Sequence, residues 1–276
     1  MMNIRRSRWI ASLLVLVTAL SSLPAWAQEA ARPWFAFASR DEAALGVINR
    51  YFRRGDFLNI NTARMQPELR DRIGQDRVFR LSASLEDVTE WAGKPCNDRN
   101  SASIIFYDIE GWEATPMQEK ADLRGSVARA GEIVKSSGCR TYGIAPGRAY
   151  LTGHTRQCEI GVGQLPRGVD WRNVQVFLIQ SQGLLAQRCV RRNGVEVYRR
   201  FLQDMAGLAR AANPQIVVLG EVSFRRSRPD VIVQAIDATK GIVDGYYVAY
   251  PVTEKCPDCT PANLEYVLSR YRTPVR

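Results

Sequence analysis

The chain has 276 residues, of which 46% are apolar and 24% charged, and a net charge of +10. That balance excludes an intrinsically disordered chain, and the length excludes a miniature scaffold that leans on disulfides for want of a core. The basic excess suits anionic partners in general, but the arginines are scattered and no block of them marks specific nucleic-acid binding.

The first element is a leader. Arg5, Arg6 and Arg8 precede an apolar run from Trp9 to Leu23, which ends in Ala25-Trp26-Ala27. A charged start, an apolar middle and a small-x-small site read as a cleavable signal peptide over 1–27, with mature protein beginning at Gln28. Ser21, Ser22 and Pro24 interrupt the run, which is also short for a membrane span. No later segment is apolar enough to cross a bilayer. The expectation is therefore an exported protein, periplasmic or extracellular, whose mature part (28–276) carries a net charge of +7 and all six cysteines.

Beyond the leader, short apolar runs alternate with amphipathic ones. The N-terminal third offers strands at 35–39, 57–62 and 78–84, with helices at 41–54, 65–74 and 85–93. The later strands are 103–110, 141–146, 174–182, 216–222 and 245–250, all rich in Ile, Val, Phe and Tyr. The later helices are 124–137, 196–212, 229–243 and 261–271. Val197, Phe201, Met205 and Leu208 keep the helical period, and Asn213-Pro214 stops that helix. Strand–helix alternation implies parallel βα units, and eight of them in about 250 residues are the size of a (β/α)8 barrel, a TIM-type α/β fold. An incomplete barrel or an open doubly wound sheet is the alternative. With no repeat or linker, 28–276 reads as a single domain. The longest irregular stretch, 147–173, would be a βα loop on the face where barrel active sites sit.

Strand side chains alternate, so residues two apart share a face. Asp108 and Glu110 pair in this way near the end of strand four, Gln180 and Gln182 on strand six, and Glu221 and Ser223 on strand seven; Tyr247 and Tyr250 fall on opposite faces of strand eight. In a barrel these C-terminal ends converge on one mouth. Carboxylates and amides buried there need partners or a use. Either they close the barrel top as a satisfied polar network, or they bind a polyhydroxylated ligand with carboxylate acid/base chemistry. Trp112 and Trp171 lie in or beside βα loops, where an indole face can stack on a sugar ring or pack on its own barrel.

The segment Tyr107-Asp108-Ile109-Glu110-Gly111-Trp112, with Thr115-Pro116 and Gln118-Glu119 after it, resembles a group of uncharacterised exported bacterial proteins with a barrel-like βα pattern. Gln180-Ser181-Gln182, Ala211-Ala212-Asn213-Pro214, Val243-Asp244-Gly245-Tyr246 and Cys256-Pro257-Asp258-Cys259 resemble the same group, so the similarity spans about residues 103–271. It implies a fold and an exported location, and no activity. More loosely, Asp108 and Glu110 are similar to the end of the D-x-x-D-x-D-x-E strand of family 18 chitinases. Ser103 and Phe106 stand where the two earlier aspartates belong, which argues against that substrate-assisted chemistry. The placement of Glu110 and Glu221 on strands four and seven is also similar to retaining glycosidase barrels, although Ile109 replaces the Asn that usually precedes the acid.

His154 is the single histidine and no G-x-S-x-G elbow is present, which argues against a histidine-activated nucleophile. One CxxC without a second ligand pair argues against a zinc site, and neither a metal nor a cofactor is expected. Cys256 and Cys259 precede a helix; they read as a local disulfide, or less readily as a redox pair. Cys96 and Cys139 both precede strands, at the bottom of neighbouring units. Cys158 and Cys189 both follow strands, at the top of neighbouring units. Same-face neighbours are what a disulfide's reach allows, so the pairs expected are Cys96–Cys139, Cys158–Cys189 and Cys256–Cys259. The reading is an exported glycoside hydrolase-like barrel acting on a carbohydrate, with Glu110 as proton donor, Glu221 as nucleophile or base and Asp108 tuning Glu110. Gln180, Gln182, Tyr247 and Trp112 would hold sugar hydroxyls or rings. The rivals are a non-catalytic glycan-binding barrel and a thiol–disulfide protein using Cys256 and Cys259.

Overall fold

The computed structural model describes residues 34–274 except 112, 153–157, 159–162, 164, 166–168 and 251–255. The expected leader and Gln28 start, together with Trp112 and His154, lie outside the described residues. Eight parallel strands close into a barrel in sequence order. They are β1 (Trp34–Ala38), β2 (Phe57–Asn59), β3 (Val78–Ser82), β4 (Ile104–Tyr107), β5 (Thr141–Ile144), β6 (Val176–Ile179), β7 (Val217–Ser223) and β8 (Gly245–Ala249). Closure is made by β1 on β8, with Trp34 opposite Gly245 and Ala38 opposite Ala249. This is the (β/α)8 fold that the alternation implied.

Alternation along each strand builds two cores. One residue set, including Phe35, Phe37, Ile105, Tyr107, Phe177, Val218 and Tyr246, faces outward and merges with the helices into one buried cluster. The other set, Ala36, Phe57, Phe79, Ile104, Phe106, Val176, Val217 and Leu219, fills the barrel and leaves a void of only ≈ 10 Å³. The interior is packed, as it must be when strand side chains have no solvent to face. Packing is close enough that Gly143 is required: a Cβ there would lie 2.6 Å from Phe106 Cδ1.

The helices follow from caps and periodicity. Asp41 caps α1 (Glu42–Tyr51) by accepting from the Ala44 amide at 2.7 Å. Where a strand was expected to run to 62, the chain turns after Asn59, whose side chain accepts from the Asn61 amide, and α2 (Ile60–Met65) begins at once. Pro67 then opens α3 (Pro67–Ile73), because proline suits a first turn and not an interior. Ser84 caps α4 (Leu85–Gly93) through the Asp87 amide. Next come α5 (Met117–Ala121), α6 (Leu123–Ser136), α7 (Arg148–Thr152) and α8 (Gln187–Val190). The chain finishes with α9 (Gly194–Ala212), α10 (Pro229–Thr239) and α11 (Pro261–Ser269). On α9, Tyr198, Phe201, Leu202, Met205, Ala206 and Ala209 are buried, a stripe at 3.6-residue spacing.

All six cysteines are paired as topology predicted, with Cα separations of 6.2 Å for Cys96–Cys139, 5.0 Å for Cys158–Cys189 and 5.2 Å for Cys256–Cys259. Among the described residues no helix is long and apolar enough to cross a membrane.

Candidate functional site

Backbone pairing carries Asp108 and Glu110 to the mouth of the barrel. The β4 ladder proper ends at Tyr107, three residues short of the expected limit. Extended pairing nonetheless continues: the Asp108 amide donates to Ser82 O at 2.8 Å, and the Gly147 amide donates to Ile109 O at 2.8 Å. Alternation is therefore kept beyond the strand. Ile109 is fully buried in the outer core, while Asp108 and Glu110 turn toward the barrel axis. The Glu110 amide is pinned by Thr115 Oγ1 at 3.0 Å, and a Cβ on Gly147 would lie 3.3 Å from Ile109 O and 3.4 Å from Glu110 Oε2, so this glycine borders the carboxylate.

Gln180, one residue past β6, donates through Nε2 to Asp108 Oδ1 at 2.6 Å and to Ala145 O at 2.7 Å. This links the ends of β4, β5 and β6. Gln182 was expected on the strand; the chain has by then entered a 3-10 turn, Gln182–Leu185, because the β6 ladder stops at Ile179. The turn still delivers Gln182 to the same cavity as Gln180. Glu221 lies within β7, opposite Tyr247 of β8, and both are nearly inaccessible. Tyr250 ends up beyond β8 on the other side of the strand, in edge-to-face contact with Phe224, with its hydroxyl buried and lacking a hydrogen-bond partner among the described residues.

The floor beneath these groups is apolar. Phe79 meets Phe106 and Tyr247 edge-on, with centroids 5.9 and 6.0 Å apart. A carboxylate above such a floor loses hydration that nothing replaces, so its proton is retained. Asp108 is accordingly raised to about 7, by burial first and the Glu110 charge second, against which the Gln180 hydrogen bond works. Glu221 is raised well above the usual carboxylate range by burial, then by Asp108 and Glu110, with Arg226 opposing. Tyr247 is likewise raised by burial and by the neighbouring Glu221 and Asp108. The three carboxyl groups and the tyrosine thus act on one another electrostatically at one end of the barrel.

Among the described residues, two cavities open at this end. One, of ≈ 320 Å³, is lined by Glu110, Gly147, Arg148, Gln180, Gln182, Gly183, Arg188 and Arg226. The other, of ≈ 380 Å³, lies over β1–β3 and β8 and includes Ser39, Arg40, Asn59, Thr62 and Tyr247. Of the expected residues, Glu110, Gln180 and Gln182 share the first cavity, Tyr247 lines the second, and Asp108 and Glu221 lie behind these walls. Trp171 is buried at the opposite end, edge-on to Phe177, and serves the core. Glu119, part of the resembling segment, is structural: it accepts from Tyr107 Oη at 2.6 Å and from the Leu85 amide.

Sequence reasoning missed Arg148, Arg188 and Arg226. Arg148 and Arg226 follow β5 and β7 by four and three residues and Arg188 follows β6 by nine, all on βα connections, and that position was the available signal. It was masked by the many other arginines. Among the described residues no group of His, Cys, Asp or Glu is arranged to hold a metal ion.

No family model and no curated protein matches the sequence. Among solved structures, the chain is similar to a complete multifunctional pyruvate carboxylase from Rhizobium etli, at 9% identity and a TM-score of 0.46, over 94% of this chain and 30% of that one. A second structure of that carboxylase, with acetyl coenzyme-A, gives 9% and 0.45 over 91% and 28%. Its carboxyl transferase domain with pyruvate gives 9% and 0.43 over 91% and 50%. The chain spans half or less of the length of each.

Proposed function

We propose that the protein is a glycoside hydrolase-like enzyme that cleaves a carbohydrate with two carboxyl groups. The observation that carries this reading is the cluster of Asp108, Glu110 and Glu221 at the barrel mouth, two of them with raised pKa values, beside a polar cavity. Acid/base cleavage of a glycosidic bond needs one carboxyl that keeps its proton at neutral pH and one that does not. Burial favours exchanging the roles expected from sequence. Glu221, 6% exposed and strongly shifted, suits the proton donor. Glu110, half-buried on the cavity wall among arginines, suits the base or nucleophile. Asp108 links the two electrostatically, and Gln180 and Gln182 supply amides for sugar hydroxyls.

The test is reducing-end release from a panel of polysaccharides and cell-wall fragments. Glu110→Gln and Glu221→Gln should each lower the rate by about 10²–10⁴-fold, the usual weight of a general acid or base, while binding persists. A full rate in both variants rejects the two-carboxylate chemistry. A second reading, a non-catalytic glycan-binding barrel, is favoured by one observation: Glu221 lines neither cavity. It is the better account if a polysaccharide binds and none is cut. The thiol–disulfide reading has weaker support, because Cys256 is buried, out of reach of an attacking thiol.

A further inference from the structure

Three successive βα connections each contribute an arginine to the lining of the Glu110 cavity. Arg148 opens α7 after β5, Arg188 lies on α8 after β6, and Arg226 sits in the turn after β7. Their backbone positions are held by structure, while the Arg188 and Arg226 side chains are exposed. The Cys158–Cys189 disulfide anchors α8 at the residue next to Arg188. The Arg226 amide donates to Ser223 O at 3.1 Å, and Gly147, next to Arg148, is tied to Ile109. Among the described residues, the cavity lining carries three arginines, one carboxylate, Glu110, and the neutral amides of Gln180 and Gln182.

Gathering like charges is costly. Arg148 is half-buried, and both burial and the Arg188 charge lower its pKa. An anion between the guanidiniums would relieve that repulsion and form charge-assisted hydrogen bonds, which are about twice as strong as neutral ones. Asp108 and Glu221 line neither cavity: burial raises the Glu221 pKa, and the Asp108 carboxyl is engaged by Gln180. The cavity, at ≈ 320 Å³, is of the size that takes a small ligand or one unit of a larger one.

We infer that this cavity binds the anionic substituent of an acidic polysaccharide, a carboxylate or sulfate carried on a sugar ring, with Arg188 and Arg226 as its principal donors and Arg148 behind them. The inference rests on the carbohydrate reading above and gives it a substrate class. It places the charged sugar next to Glu110, so that charge recognition and bond cleavage occur on adjacent units.

Calorimetric titration of the purified protein with polygalacturonate, dextran sulfate and uncharged dextran tests it. Either acidic polymer should bind at least about ten-fold more tightly than dextran at physiological salt, where exposed charges are largely screened. Arg188→Gln/Arg226→Gln should remove about ten-fold or more of that affinity, the loss expected of charge-assisted donors. Arg124→Gln/Arg129→Gln removes the same charge from the exposed face of α6 and should change little. A preference for polygalacturonate identifies the carboxylate, and a preference for dextran sulfate the sulfate. Equal binding of dextran, or equal losses in the two double variants, overturns the anionic inference and leaves the carbohydrate reading standing. Failure to bind any of the three polymers overturns both.

Discussion

The two ends of the barrel treat buried charge in opposite ways. At the N-terminal end of the strands, Asp56 is fully buried and completely served: it accepts from the Phe35 and Arg53 amides at 2.9 Å each and pairs with Arg272, whose Nη2 lies 2.6 Å from Oδ1. Arg272 also donates to Tyr51 O and stacks 4.5 Å above the Phe35 ring. Nearby, Arg210 pairs with Asp244, whose other contact is the Val218 amide, and Arg140 donates to Ser101 and to the Ala102 and Lys94 carbonyls. At the C-terminal end, no hydrogen bond reaches the Glu221 carboxyl among the described residues, and Asp108 has one amide. A charge in low dielectric is tolerated when paired and otherwise keeps its proton. The first end therefore serves stability, and the second holds carboxyl groups whose pKa values are raised.

The largest effect on folding should come from the served end. Arg272→Ala strands a buried carboxylate, and denaturant unfolding should show a loss of about 3–5 kcal/mol, the range for breaking a buried pair by removing one partner. A loss below about 1 kcal/mol, the range of an exposed pair, would erase the contrast between the ends.

The mouth should respond through pH. Asp108 has a folded-state value of about 7 against about 3.9 for an unfolded aspartate. The native state thus binds the extra proton between these values, so the Asp108 contribution to stability falls as pH rises from about 4 to about 7 and is level above that. Asp108→Asn should flatten this slope, a difference on the order of a few kcal/mol across the window. Parallel curves for the two proteins would show that the carboxyl ionises freely, against its burial.

The smallest effect separates structural from functional carboxylates within the mouth itself. Asp41 is a helix cap there, and Asp41→Ala should cost about 1 kcal/mol in unfolding free energy. Under the proposed function it should leave polysaccharide cleavage unchanged, whereas Glu110→Gln should do the reverse. An activity loss in Asp41→Ala at full folding would extend the site toward the second cavity.

The βα alternation, the barrel and the three disulfides are legible in the amino-acid order. They rest on local periodicity, and on the rule that parallel strands all end on one side, which places Cys96 with Cys139 and Cys158 with Cys189. The same alternation marks Asp108, Glu110, Gln180 and Glu221 as strand-end polar residues facing the axis, since it survives even where the ladder stops. Strand lengths are less legible, as at Asn59, because a side-chain cap can end a strand that propensity would extend. Two matters depend on the assembled barrel. One is which carboxyls keep their protons, because that requires Phe79 and Phe106, distant in sequence, to meet beneath Asp108. The other is which arginines matter. In sequence Arg148, Arg188 and Arg226 resemble every other surface arginine; closing the barrel brings three connections side by side and puts the three residues in the lining of one cavity.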